Sequence, residues 1–333
     1  MRIGFLIHTL GIFGSVREII EVANVLVDRG HDVTIYHPDG GPCVWLPCKA
    51  KIGKADEVTQ AGLDALIAVT GWQTDLYDLL MHSNATLKAS CLLGFSPTPE
   101  LADILRGKVP ALTRDMRILR DSMRETIVLA DSSWQLKWIH ETLGIEVGVP
   151  FGGIDLGLFM PGPPKKDRAK QRVIASGDPR PRKGLDTVQA AVETLKTKAN
   201  IEFEVYWNRR FSQAQLVQFL QNGDVFLDGH RRGGWCNPVI EAMACGTAVV
   251  CTNIGATSDF ALPGITALVV SVDDPTAMAN AALRLLKDNA LRERLVLNGL
   301  DHVQKFSYKN VVPKLETFLT HKLQERVALQ CHQ

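Results

Sequence analysis

Glu241 stands alone in an otherwise apolar segment, NPVIEAMACGTAVV at 237–250. An apolar helix has no packing use for a carboxylate, so the residue calls for a ligand. Asn237 is a favourable N-cap, Pro238 a favourable first helical residue and Gly246 a natural stop, which predicts a helix of about two turns. The amino end of such a helix carries unpaired N–H groups and partial positive charge, and so suits an anion. Glu241, about one turn in, cannot bind that anion, but it can accept two hydroxyls from a sugar beside it, such as a ribose.

A second group of residues complements the first. In SGDPRPRKGLD, residues 176–186, Arg180, Arg182 and Lys183 follow an apolar run that reads as a strand and precede a helical pattern. Together they could neutralise a diphosphate without a metal, and the chain has no Asp-x-Asp pair to hold a divalent ion. Taken in isolation, the commoner reading of such a cluster is a solvated charged turn. The loop GIFGS, residues 11–15, has two glycines but lacks GxGxxG, and no acidic residue closes the second strand beyond Asp39, which argues against a nicotinamide cofactor. A glycine such as Gly14 at a helix start still lets a ligand approach backbone N–H groups closely. Seven cysteines show no CxxC or His/Cys metal spacing, and read as reduced core residues of a cytoplasmic protein.

These residues need elements to position them. RIGFLIHTL, SVREIIEVANVLVDRG and HDVTIYH read as strand, helix and strand, and further apolar runs at LDALIAVT, ASCLLGF and TIVLAD extend a parallel sheet. GGIDLGLFMPGPPKKDRAK, 152–170, mixes glycine, proline and charge as a linker does. The pattern then restarts with strands in RVIASG, IEFEVYW, DVFLDG and TAVVC, alternating with helices. The fold class expected is α/β, with two doubly wound halves facing a cleft and ligands at the carboxyl ends of the strands.

Length agrees, since 333 residues at roughly 100 to 200 per domain give about two domains. The 37 basic and 36 acidic residues nearly cancel, so no bulk electrostatic attraction to nucleic acid is expected. The apolar opening MRIGFLIHTLGIFG has one arginine and no small-residue cleavage site, so it reads as a buried strand rather than a signal peptide. No apolar run is long enough to span a membrane. From Lys108 to Arg124 five basic residues stand among apolar ones. That is an ordinary amphipathic helix or, less simply, a peripheral contact with an anionic surface carrying a lipid-linked acceptor.

KG at 183–184, NPVIEAMACGTAVV at 237–250, DSSW at 131–134, FGGID at 151–155 and FSYKNV at 306–311 resemble family 4 glycosyltransferases, which have the GT-B fold of two Rossmann-like domains. The resemblance covers nearly the whole chain. It implies an acceptor-binding domain at 1–155, a nucleotide-sugar donor domain at 168–312 and a final helix at 313–333 packing back towards the first. By the same resemblance, Arg182 and Lys183 hold the donor diphosphate and Glu241 the ribose. A hexosyl group is transferred with retention, and neither metal nor cofactor is needed. The remaining donor contacts would come from Gly14, Gly177, Trp207, Asn208, Trp235, Cys236, Asn237, Pro238, Val239, Ile240 and Asp259. Trp207 would stack on the base, although a core position suits it equally. Many members place a histidine at a strand end of the first domain. Thr70, Trp72 and Ser96 occupy such ends here, leaving His8, with Ser15, as the acceptor-side or catalytic candidate.

This sequence departs from the family at several positions. A glutamate common eight residues before Glu241 is Gly233, an arginine usual after the glycine of the first donor-domain strand is Asp178, and Asp259 stands where glutamate is more usual. Arg231 and Arg232, close to Gly233, suggest an acidic or unusual donor sugar. With a sugar contact missing, a nucleotide-sugar binding protein without turnover is the competing expectation. A GT-B epimerase or phosphorylase is a third, and the phosphorylase would need a cofactor-anchoring lysine that the sequence does not place.

Overall fold

The computed structural model describes residues 1–69, 75–94, 96–108, 114–165, 168–207 and 211–331. The chain forms two compact units, Met1–Gly153 with Tyr308–Gln333, and Ile154–Ser307.

In the first unit a parallel six-stranded sheet has the order β3-β2-β1-β4-β5-β6. Its strands are β1 (Arg2–Leu6), β2 (Asp32–His37), β3 (Lys51–Lys54), β4 (Ala65–Val69), β5 (Leu87–Cys91) and β6 (Ile127–Leu129). Between and after these strands, among the described residues, lie α1 (Gly14–Asp28), α2 (Asp75–His82), α3 (Pro99–Leu105), α4 (Arg114–Glu125) and α5 (Ser133–Leu143). β1 and β4 are apolar and almost wholly buried, as central parallel strands covered on both faces must be. Val16, Ile19, Ile20, Ala23 and Leu26 line the buried side of α1 at helical spacing. Against the same core lie Val311, Val312, Leu315 and Leu319 of the long last helix. His31 Nε2 lies 3.0 Å from Glu316 Oε1 of that helix, and Arg29 also pairs with Glu316.

The second unit holds a parallel sheet of order β11-β10-β9-β7-β8. Its strands are β7 (Gln171–Ser176), β8 (Ile201–Tyr206), β9 (Val225–Asp228), β10 (Ala248–Thr252) and β11 (Leu268–Val270). The helices are α6 (Leu185–Lys196), α7 (Gln213–Gln221), α8 (Asn237–Ala244), α9 (Pro275–Lys287) and α10 (Asn289–Val303), and α11 (Tyr308–Cys331) then completes the first unit. The two ends of the second unit meet, with Ile154 N donating to Phe306 O at 2.9 Å and a parallel bridge between Ile154 and Ser307.

Sequence reading and structure differ at identifiable places. The edge strands β3 and β11 carry no long apolar run; KIGK has a lysine at each end and LVV is only partly buried. The glycine- and proline-rich stretch read as a linker joins the second unit from Ile154, because Ile154 and Phe159 are 3% and 2% exposed in its core. Asn237 is the first residue of α8 and Cys236 its N-cap, with no side-chain cap hydrogen bond. The carboxyl end of α8 closes at Gly246 (φ +75°), where Gly246 N bonds Met243 O at 3.1 Å and Thr247 N bonds Ala242 O at 3.0 Å. Among the described residues no helix is long and apolar enough to cross a membrane.

Candidate active site

In the second unit, the residues singled out from the sequence collect at the carboxyl ends of β7, β8, β9 and β10 and at the start of α8. Beyond β7, Gly177 N donates to Tyr206 O at 2.6 Å, and a Cβ on Gly177 would lie 2.9 Å from that oxygen. Its smallness therefore serves a close approach to β8. Asp178 grips Arg180, whose Nε lies 2.9 and 3.0 Å from the two carboxylate oxygens. Burial pushes the Asp178 carboxyl up, but the Arg180 hydrogen bonds and charge, with Lys183 beyond, outweigh it and hold the group at about 2. Of the three cations expected to face a diphosphate, Arg180 is thus already neutralised.

Arg182 and Lys183 lie on a single 3-10 turn, Pro181–Lys183, that ends at Gly184 with φ +61°. A Cβ on Gly184 would stand 1.8 Å from Gly229 O, so the turn sits directly on the main chain beyond β9. Arg231 clamps the turn from outside. Its N–H donates to Arg182 O at 2.9 Å, its guanidinium to Pro181 O, and to Asp186 and Asp273 at 2.7 Å each. Arg231 is therefore committed to holding the turn, contrary to the expectation that it meets an acidic sugar. Arg232 is exposed. Among the described residues Arg182 has no ion pair; burial, then the Arg180 charge, lower its pKa.

Lys183 Nζ lies 2.5 Å from Nε2 of His230, and His230 Nδ1 lies 2.6 Å from Asp228 Oδ1. The Cys236 sulfur is 3.6 Å from both His230 Nδ1 and Asp228 Oδ2, which ties this cluster to the N-cap of α8. Burial is the main influence on Lys183 and depresses its pKa. Asp228, His230 and Cys236 also form the one metal-type grouping among the described residues, with ligand atoms within 4.8 Å of one another. Two ligands of one zinc ion at about 2.0 to 2.3 Å in tetrahedral array stand roughly 3.3 Å apart or more. The 2.6 Å between His230 and Asp228 is that of a charge-assisted hydrogen bond.

At the α8 start the main-chain donors are fewer than the sequence suggested. Pro238 has no N–H, and those of Val239 and Ile240 close on Cys236 O at 3.1 and 3.3 Å. Val239 and Ile240 are fully buried as well, so neither side chain nor amide is open to a donor molecule. Trp235 and Cys236 are core residues too, Trp235 packing edge-on against Phe260 at 4.8 Å and Phe306 at 5.7 Å between ring centres. Asn237 and Pro238 are half-buried.

Glu241 is 5% exposed. After burial itself, its charge is the strongest influence raising the pKa of the Tyr206 hydroxyl at the end of β8. Next along the chain, Trp207 is 41% exposed, which places it outside the core; Asn208 lies outside the described residues. Asp259 closes the short turn Ala256–Asp259 after β10, and its carbonyl meets His302 Nε2 at 3.0 Å. A Cβ on Gly233 would meet nothing closer than 3.6 Å, so there is room there for a side chain.

Gly14, Ser15 and His8 belong to the first unit. Gly14 and Ser15 open α1, and His8, its side chain 48% exposed, has Nδ1 3.7 Å from Asp75 Oδ2. His8 and Ser15, with Thr9 and Phe13, border a cavity of about 250 Å³. Thr70 and Trp72 lie outside the described residues, while Ser96 is half-buried. The sequence reading did not single out Asp228 and His230, which the structure brings against Lys183. The available signal was two ionisable groups, two residues apart, at the end of a buried strand.

Residues 163–302 match the family model for "Glycosyl transferases group 1". Along most of its length the chain is similar to a phosphatidyl-myo-inositol mannosyltransferase of Mycolicibacterium smegmatis, 27% identical over 357 residues, covering 93% of this chain and 91% of that one. The protein is a glycosyltransferase. Its fold is that of solved GT-B enzymes. Sucrose-phosphate synthase from Thermosynechococcus elongatus superposes with a TM-score of 0.72 at 17% identity, covering 98% of this chain and 100% of the other. HepE of Anabaena, solved in complex with UDP-glucose, gives a TM-score of 0.72 at 14% identity, covering 96% and 100%. The stretch of this glycosyltransferase that matches the family model contains Arg182, Lys183, Asp228, His230 and Glu241.

Proposed function

We propose that the protein is a retaining family 4 enzyme that moves a hexosyl group from a nucleoside-diphosphate sugar to an acceptor hydroxyl, with no metal or cofactor. The observation that carries this reading is the half-buried ammonium of Lys183, held against the cluster at the N-cap of α8. Because few amides are open at that helix end, Arg182 and Lys183 supply most of the charge for the diphosphate. Glu241 takes the ribose hydroxyls, and its burial strengthens those hydrogen bonds because water competes poorly there. Trp207 stacks on the base.

Retention follows if the departing diphosphate accepts the acceptor's proton on the face it leaves. The charge developing on that oxygen meets cations already in place, a preorganised arrangement in which losing one donor costs about 2 to 4 kcal/mol of barrier. The acceptor binds to the first unit near His8, Ser15 and the Gly14 loop. A sugar or glycan acceptor linked to a lipid, met by peripheral membrane contact, is supported by the phosphatidyl-myo-inositol mannosyltransferase relative and by the four arginines of α4, Arg114, Arg117, Arg120 and Arg124, and a cytoplasmic location is part of the same proposal.

The test is a screen of UDP-, GDP-, ADP- and TDP-hexoses with EDTA present, on the wild type, Lys183→Ala and Glu241→Ala, the product anomer being read by NMR. Turnover to the α-product from an α-donor, lost in both variants, is expected. Donor binding without turnover on any acceptor would favour a nucleotide-sugar binding protein, to which the unfilled space at Gly233 also points. A strict metal requirement or an inverted product would sink the proposal.

A further inference from the structure

The end of β9 buries a carboxylate and an imidazole side by side, Asp228 at 3% and His230 at 1% exposure. Burying ionisable groups is costly unless every one is satisfied, and here each contact has one consistent assignment. Asp228 Oδ1 is 2.6 Å from His230 Nδ1, and Oδ2 accepts the His230 main-chain N–H at 3.3 Å and the Cys236 thiol at 3.6 Å. A carboxylate only accepts, so the ring proton sits on Nδ1 and Nε2 keeps its lone pair. That lone pair faces Lys183 Nζ at 2.5 Å and takes one of its three hydrogens. Anion, neutral ring and cation then form an electrically balanced row. A proton on Nε2 instead would point at the ammonium.

We propose that Asp228 and His230 are positioning residues for Lys183. Asp228 fixes the histidine tautomer, and His230 holds the ammonium by one hydrogen so that the other two are directed at the donor diphosphate. This rests on the reading of Lys183 as a diphosphate ligand. Lysine has a long flexible stem whose freedom is lost on binding, and a side chain immobilised beforehand loses less. The groups acting on Lys183 are Cys236, Arg182, Asp228 and Arg180, and those acting on His230 are Asp228, Lys183 and Arg182. Burial disfavours a charged ring at His230 more than Asp228 favours it, in agreement with the neutral tautomer.

Two measurements test the pair. In protein labelled with ¹⁵N-histidine, long-range ¹H–¹⁵N correlation should show His230 neutral, with its proton on Nδ1, from about pH 8 to about pH 6. A proton on Nε2 throughout that range would overturn the assignment. Titration calorimetry with UDP, GDP, ADP and TDP, the tightest being carried through the variants, supplies the second readout. His230→Ala should weaken binding about tenfold or more. His230→Gln, which keeps an acceptor within reach of Nζ, should recover most of the loss. The double variant His230→Ala with Lys183→Ala should bind no worse than Lys183→Ala alone. Wild-type affinity in His230→Ala alongside weakened binding in Lys183→Ala would remove the positioning role and leave the donor site standing. Unchanged affinity in Lys183→Ala would remove both.

Discussion

Gly184 and Gly229 touch main chain to main chain, a Cβ on the first falling 1.8 Å from the carbonyl oxygen of the second and a Cβ on the second 2.4 Å from the carbonyl oxygen of the first. The contact lets the turn carrying Arg182 and Lys183 rest on the strand end carrying Asp228 and His230. Gly184 also has φ +61°, a conformation that costs other residues energy. Gly184→Ala should therefore destabilise the protein by about 3 kcal/mol or more, combining the backbone strain with the clash. Urea unfolding measures this, and a loss under about 1 kcal/mol would mean that the turn moves away easily.

Arg231→Ala should have a split effect. Its partners Asp186 and Asp273 are 70% and 56% exposed, so the stability loss should be only about 1 kcal/mol. The Pro181–Lys183 turn loses its outer clamp, however, and KM for the donor should rise with a smaller change in kcat. Since two carboxylates already balance Arg231, the preference between neutral and acidic donor sugars should not change. A selective loss of acidic donors would restore the role in sugar recognition.

The pH dependence of donor binding should carry the mark of Lys183. Burial lowers its pKa below 10.5, so in the empty protein the charged form is penalised at neutral pH, and the penalty is relieved as pH rises through the folded pKa towards the unfolded value. An anion favours the charged form, so nucleoside-diphosphate affinity should fall as pH rises past that depressed pKa. Lys183→Arg keeps its charge throughout and should flatten this alkaline limb even if it binds more weakly. An identical limb in both proteins would assign the titration elsewhere.

Trp207 should contribute through the base alone. Trp207→Ala is expected to weaken nucleoside-diphosphate binding about tenfold, within the usual range for stacking on an aromatic face. Binding of inorganic pyrophosphate should not change. Equal losses for both ligands, measured by calorimetry, would place Trp207 at the phosphates or in a structural role.

How much of this was legible in the sequence follows from what each residue's environment demands. Buried parallel strands need unbroken apolar runs, so β1, β4, β9 and β10 stand out in the chain, whereas the edge strands β3 and β11 need none and do not. Gly184 beside Lys183 was readable as part of a motif, but its contact with Gly229 is a tertiary fact. The three cations of 180–183 look alike in one dimension; only the partners Asp178 and His230 separate Arg180, which is neutralised, from Lys183, which is held by a neutral ring. Arg231 looked like a recognition residue because its two carboxylates lie 45 and 42 residues away.

The adjoining ends of the second unit, where Ile154 meets Phe306 and Ser307, give the gene an asymmetry. Residues 154–307 are one continuous stretch of chain whose termini already lie side by side, the arrangement of a cassette inserted into a host. Two cut points are therefore enough to lift that block out of the chain or to exchange it for a homologous one. The host can be made only by joining codon 153 to codon 308, since that block separates its sheet from α11 along the chain.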